Sequence, residues 1–162
     1  MKNVNNPLLF LVEENQVYRD FLASYLAERK FTNIRILGSA AELMNQLNLK
    51  PDVIVIDHSM TGIPGLELMK KVKKQLPRVD FIFLSAHDNV EVAVHHIKSG
   101  AFDFIIKNEH APEKLFRSLS SDLKSSRKMD KNRAIRRGIF AFFCILIVFI
   151  ITVVAFRYFF DW

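Results

Sequence analysis

Residues 52–72, Asp52-Val53-Ile54-Val55-Ile56-Asp57-His58-Ser59-Met60-Thr61-Gly62-Ile63-Pro64-Gly65-Leu66-Glu67-Leu68-Met69-Lys70-Lys71-Val72, hold a strand, a turn and a helix in succession. Val53 to Ile56 is a continuous β-branched run after Pro51, the pattern of a strand buried on both faces. It ends on a carboxylate, Asp57. Thr61-Gly62-Ile63-Pro64-Gly65 reads as a turn. Met69, Val72 and Leu76 then recur at helical spacing, with Lys70, Lys71, Lys73 and Lys74 largely on the other side.

The same unit recurs on both sides. Upstream, Leu8 to Val12 is a buried-type strand, followed by a helix with Asn15 as its cap and Val17, Phe21 and Tyr25 beside Leu22 and Leu26. Asn33–Leu37 alternates like an edge strand. Ala40–Leu47 is a helix with a capping box, Ser39 and Glu42. Downstream, Phe81 to Leu84 is a fourth strand, and Val90, Ala93, Val94 and Ile97 mark a fourth helix ending at Gly100. Phe104 to Lys107 is a fifth strand, and Pro112 starts a fifth helix with Leu115, Leu119 and Leu123. Five such units in residues 1–123 predict a flavodoxin-like (βα)5 α/β fold, a doubly wound parallel sheet in the order 2-1-3-4-5.

Ligands in such a sheet gather at the carboxyl ends of the strands. Those ends carry Glu13 and Glu14, Asp57, Ser85 and Lys107. Three clustered carboxylates repel one another and attract a hard divalent cation, for which Mg²⁺ with waters and phosphate oxygens is the natural choice. A cation and an ammonium would offset the charge of a phosphoryl group attacked by Asp57. Each residue alone reads more readily as a helix cap or a solvated charge; the set together favours phosphoryl transfer to a carboxylate. His95 and His96 point about 100° apart on a helix and form no chelating pair, so an exposed-face role is expected for both.

Over residues 6–123 the sequence resembles the receiver domains of two-component response regulators. The resemblance is carried by LLFLVEEN, DVIVIDHSMTGIPGLELMKKV, FIFLSA and GAFDFIIK. It implies Asp57 as phosphoacceptor, with Glu13, Glu14, Asp57 and the backbone carbonyl of Ser59 around Mg²⁺. It also implies Ser85 as the switch hydroxyl, Lys107 as the phosphate-contacting lysine and Phe104 as the aromatic switch position. A histidine kinase or phosphotransfer protein would supply the phosphoryl group. A downstream protein would read the change through the fourth helix, fifth strand and fifth helix, a face that also suits a homodimer. Such a protein catalyses only its own phosphorylation and dephosphorylation.

Three positions depart from the family pattern. The acidic pair is Glu13-Glu14 where Asp-Asp or Glu-Asp is usual, and the extra methylene on Glu14 is expected to displace the metal or admit a water. Asn108 replaces the proline that commonly follows the lysine in a cis peptide, so a trans bond is expected. Thr61 stands where proline is usual, a change expected to affect loop stiffness more than chemistry. A rival reading is a phosphorylation-independent pseudo-receiver, a binding module of the same fold. A phosphate-ester hydrolase is disfavoured, because Ser59 lies where a second acid would be needed.

The rest of the chain is of another kind. Residues 1–123 carry 15 Lys/Arg and 15 Asp/Glu, whereas residues 124–162 carry 8 against 2 and supply the whole net charge of +6. The basic character therefore belongs to the tail, which argues against a nucleic-acid-binding face on the domain. Residues 124–137 are expected to form a basic juxtamembrane linker or helix extension. Gly138 to Phe156 is uncharged and as a helix would span about 28 Å; a transmembrane helix is expected over 138–160, with Arg157, Tyr158, Phe159, Phe160 and Trp162 at its far interface. The positive-inside rule keeps the receiver cytoplasmic on a single-pass anchor, and no output domain is expected after residue 123. The sole cysteine, Cys144, lies in the apolar block, excluding an intrachain disulfide. Glu13-Glu14 closes the first apolar run too early for a secretory signal.

Overall fold

The computed structural model describes residues 6–122 and, beyond them, only Phe143 and Ile145. The chain divides into Met1–Leu123 and Lys124–Trp162. The expected basic linker and transmembrane helix lie outside the described residues, apart from Phe143 and Ile145, which are helical and exposed. Among the described residues no helix is long and apolar enough to cross a membrane.

The elements follow in the expected order: β1 (Leu9–Val12), α1 (Gln16–Glu28), β2 (Ile34–Leu37), α2 (Ala40–Asn45), β3 (Val53–Asp57), α3 (Gly65–Gln75), β4 (Asp80–Ser85), α4 (Val90–Lys98) and β5 (Asp103–Ile106). A short 3₁₀ turn, Leu47–Leu49, follows α2, and a fifth helix, α5, is described over 111–122. All strand pairs are parallel, in the order β2-β1-β3-β4-β5.

The strands divide their side chains by parity, because successive residues face opposite sides of a sheet. Leu9, Leu11, Val53, Val55, Ile82, Leu84 and Ile105 pack with Leu22 and Leu26 of α1 and with Leu115 and Leu119 of α5. Phe10, Val12, Ile54, Ile56, Phe81 and Phe83 pack with Leu43 of α2 and with Leu68, Met69 and Val72 of α3. Phe10, Phe81 and Phe83 are fully buried, and truncating any one to alanine is expected to cost about 3–5 kcal/mol.

Local chemistry explains the helix ends. Asn15 caps α1 by accepting from the Tyr18 N–H. Ser39 caps α2 through the Glu42 N–H, but the Glu42 carboxylate returns to the N–H of Gly38, one residue outside the cap. Gly100, at φ +100°, ends α4 in a conformation that disfavours a side chain. A Cβ on Gly65 would lie 2.9 Å from the Phe83 ring, so glycine lets α3 start against β4.

Two helix faces differ from expectation. Val17 and Phe21 on α1 are exposed, and burial falls on Leu22 and Leu26. On α4, Val90, Val94 and Ile97 are exposed, whereas His96, expected outside, is the buried residue at 3% exposure. Apolar spacing identified both helices, but the side facing the sheet was set by what the sheet offers: in α4, a pocket of aromatic rings.

Candidate functional site

The strand order reverses between β1 and β3, and the crevice at such a point is where doubly wound sheets place ligands. Asp57 ends β3 there, and Glu13 follows β1 beside it. Both continue the parity of their strands toward the α1/α5 face. Lys107, two residues after Ile105, continues the same parity from β5 and reaches over β4. The three therefore converge, with Lys107 Nζ donating to Glu13 Oε2 and to Asp57 Oδ2, each at 2.6 Å.

The cluster is largely withdrawn from solvent: Glu13 is 1% exposed and the Asp57 side chain 13%. Burying charge is costly unless it is paired and hydrogen-bonded. Glu13 Oε1 accepts from the Asn15 N–H, and Asp57 Oδ1 accepts from the Ser59 N–H at 2.8 Å. Burial would by itself lower the Lys107 pKa, but the hydrogen bonds to Asp57 and Glu13 and their charges outweigh it, so the ammonium is held above its ordinary value. Tyr18 on α1 lays its ring 5.1 Å from Lys107 Nζ, and its buried hydroxyl has no hydrogen-bond partner. Burial raises the Tyr18 pKa, against the pull of Lys107.

Glu14 does not join this group. Its carboxylate crosses to the loop after β3, where Oε1 accepts from the Thr61 N–H and Oε2 from the Thr61 hydroxyl, both at 2.8 Å. Ser85 is buried and also stands apart: its hydroxyl donates to the His87 carbonyl and accepts from the His87 N–H. Ser85 has the parity of Phe81 and Phe83, the opposite of the Asp57 face.

Phe104 also lies on that opposite face. Its ring centroid is 5.3 Å from His96 and 6.0 Å from His58. His96 completes a cluster, 4.8 Å from His58 and 4.5 Å from Phe83. His96 Nδ1 donates to the Val92 carbonyl at 2.7 Å, while its Nε2 and His58 Nδ1 are buried without partners. Burial, then the neighbouring His96, lowers the His58 pKa against the opposing charge of Asp57. His58, His96, Tyr18 and the bonding of Thr61 were not singled out for this site by sequence reasoning. The backbone shows no cis peptide among the described residues, as expected for Lys107-Asn108.

The donor chemistry fits a hard divalent cation in part. Glu13 and Asp57 present two carboxylates to one point, and Mg²⁺ favours one or two carboxylates completed by water. Among the described residues no group of three or more His, Cys, Asp or Glu side chains is arranged to hold a metal ion. Lys107 bridges the two acids, and Glu14 is engaged elsewhere.

Comparison with known proteins agrees with this architecture. The Luminescence regulatory protein LuxO of Vibrio campbellii is 30% identical over 129 residues, covering 79% of this chain and 28% of that protein. The chain thus spans less than a third of that relative's length. A Francisella response regulator 1452 receiver domain is 25% identical, with a TM-score of 0.68 over 75% of this chain and 99% of that one. A response regulator from Burkholderia pseudomallei, solved with a phosphorylated aspartic acid, a calcium ion and citrate, shares the fold at 19% identity and a TM-score of 0.61, over 75% of this chain and 71% of that one. The family described as response regulator receiver domain matches residues 9–120, and the chain belongs to that family.

Proposed function

We propose that this chain is a phosphoacceptor of two-component signalling, with Asp57 the residue modified. The observation that carries the reading is the convergence of Asp57, Glu13 and Lys107 at the crevice between β1 and β3, with Lys107 2.6 Å from both carboxylates. A histidine kinase or phosphotransfer protein presents the phosphoryl group. An Asp57 oxygen forms the new P–O bond as the bond to the donor breaks in line. Lys107 transfers its hydrogen bond from the free carboxylate to a phosphoryl oxygen and offsets the charge there. Glu13 stays buried and keeps the lysine charged and aimed. Mg²⁺, when bound, supplies charge neutralisation on the phosphoryl oxygens; Glu13, Asp57 and the Ser59 carbonyl would hold it, with Glu14 available once it leaves Thr61.

Ser85 and Phe104 act after the chemistry. Ser85 has to exchange its bonds to His87 for a phosphoryl oxygen, and Phe104 repacks against His96 of α4. The exposed Val90, Val94 and Ile97 of α4 suit a protein partner or a second copy of the chain. The charge balance of residues 1–123 supports a protein partner over nucleic acid. Residues 138–160 serve as a single-pass membrane anchor after the basic segment 124–137, with the receiver on the cytoplasmic side; the uncharged run and the basic flank support this.

Incubating the chain with acetyl phosphate and Mg²⁺, then measuring intact mass, tests the acceptor. One phosphoryl adduct is expected, absent in Asp57→Ala. An adduct that survives Asp57→Ala sinks the assignment. No adduct at all favours a phosphorylation-independent binding module, a reading to which the engagement of Glu14 by Thr61 lends support. Sedimentation with membranes that resists alkaline carbonate, and is lost when residues 138–160 are deleted, tests the anchor.

A further inference from the structure

Glu14 and Thr61 are 47 positions apart, yet each carboxylate oxygen of Glu14 accepts a hydrogen bond from Thr61. The geometry needs two particular residue types. Thr61 supplies a backbone N–H and a hydroxyl, and a proline at that position would have neither. Glu14 supplies reach, having one methylene more than aspartate. The two departures from the family pattern at positions 14 and 61 are thus the two halves of one contact.

The contact ties together the two loops that frame Asp57. Glu14 stands between β1 and α1, and Thr61 lies in the loop from Asp57 to α3. That loop has another attachment: Met60 is buried in the apolar cluster of Phe10 and Val12, and Ile63 packs on the same cluster. Losing the Glu14 contact would therefore leave the loop seated. A carboxylate holding two donors at 2.8 Å is not free to turn toward a cation beside Asp57 without giving them up.

We infer that Thr61 is a positioning residue that competes with a divalent cation for Glu14, so that cation binding at Asp57 and release of the two Thr61 hydrogen bonds from Glu14 are one coupled event. The coupling is reciprocal: whatever loosens Thr61 tightens the cation, and the cation frees Thr61. The inference rests on the reading of the Asp57 pocket as a cation and phosphoryl site, and the two can fail separately.

The test is a MgCl₂ titration of the full chain by calorimetry, with the Thr61 amide followed by NMR. Thr61→Val removes the hydroxyl and keeps the N–H; it is expected to bind Mg²⁺ about threefold more tightly than wild type. Thr61→Pro removes both donors, and a gain of about tenfold is expected. Glu14→Asp, which keeps the charge and loses the reach, should also bind more tightly. In the wild type, saturating Mg²⁺ should shift the Thr61 amide and speed its exchange with solvent. Binding that is abolished by Asp57→Ala, but unchanged or weakened by the Thr61 substitutions, overturns the competition and leaves the site standing. An unmoved Thr61 amide at saturation overturns it as well. If wild type, both Thr61 variants and Glu14→Asp all fail to bind Mg²⁺, the competition and the cation site fall together.

Discussion

The two faces of the sheet finish differently at their carboxyl ends. The face covered by α1 and α5 ends in charge: Glu13, Asp57 and Lys107, joined by hydrogen bonds of 2.6 Å. The face covered by α2, α3 and α4 ends in rings: His58, Phe83, His96 and Phe104 in edge and tilted contact. Asp57 and His58 are consecutive, so one peptide joins the two materials. In the proposed function, chemistry happens on the first face and the second carries its consequence to α4. Ions suit the former task because their energy changes sharply when a phosphoryl group arrives. Close-packed rings suit the latter because they shift between discrete arrangements and do not deform smoothly.

The comparison breaks most forcefully at Lys107. Lys107→Met leaves Glu13 buried without its counter-charge, and a loss of about 3 kcal/mol in urea unfolding is expected. Adding Glu13→Gln should return a large part of that loss, since the orphaned charge is then gone. Protein stability that survives Lys107→Met unchanged would show that the ionic face contributes no net energy.

Alkaline pH attacks the same face more gradually. The folded-state pKa of Lys107 lies above its ordinary 10.5, so the stability it contributes is complete below that pH and is lost as pH rises through the folded value. Tyr18 acts in the same direction: folding keeps its proton past the ordinary 10.0, so the unfolded chain releases that proton first and gains. Wild-type Tm should therefore fall above about pH 10 more steeply than that of Lys107→Met. Parallel curves would remove the ionic bridge from the account.

The aromatic face should respond to shape more than to charge. His96→Ala opens a void among Phe83, His58 and Phe104, with an expected cost of about 2 kcal/mol. His96→Phe keeps the rings, gives up the bond to the Val92 carbonyl and removes a buried nitrogen without a partner; a change within about 1 kcal/mol is expected. If the two variants are equally destabilised, the imidazole nitrogens matter more than the packing. The smallest effect is at Tyr18: replacing it with leucine removes the ring beside Lys107 Nζ, expected to cost about 0.5–1 kcal/mol, with no change in the packing of α4.

Much of this was legible beforehand. Apolar runs ending at Glu13, Asp57, Ser85 and Lys107 placed β1, β3, β4 and β5 to within a residue, because a doubly covered parallel strand is apolar throughout. The convergence of Glu13, Asp57 and Lys107 could also have been foreseen by counting parity from Leu11, Val55 and Ile105, and the same count would have set Ser85 and Phe104 apart. The inward side of α4 runs against its apolar pattern, because Val90, Val94 and Ile97 form the more apolar row while the buried residue is a histidine with two polar nitrogens. Ring packing makes His96 a core residue, and that depends on Phe83 and Phe104 arriving from two other strands.

The sequence by itself determined the five βα units and the residue types at the strand ends, because these follow from local periodicity. Tertiary structure alone decided how those end groups share their partners. Lys107 chooses Glu13 and Asp57, Glu14 chooses Thr61, and Ser85 keeps to its own loop. The first two choices join residues 47 to 94 positions apart in the chain, a juxtaposition that no periodicity encodes.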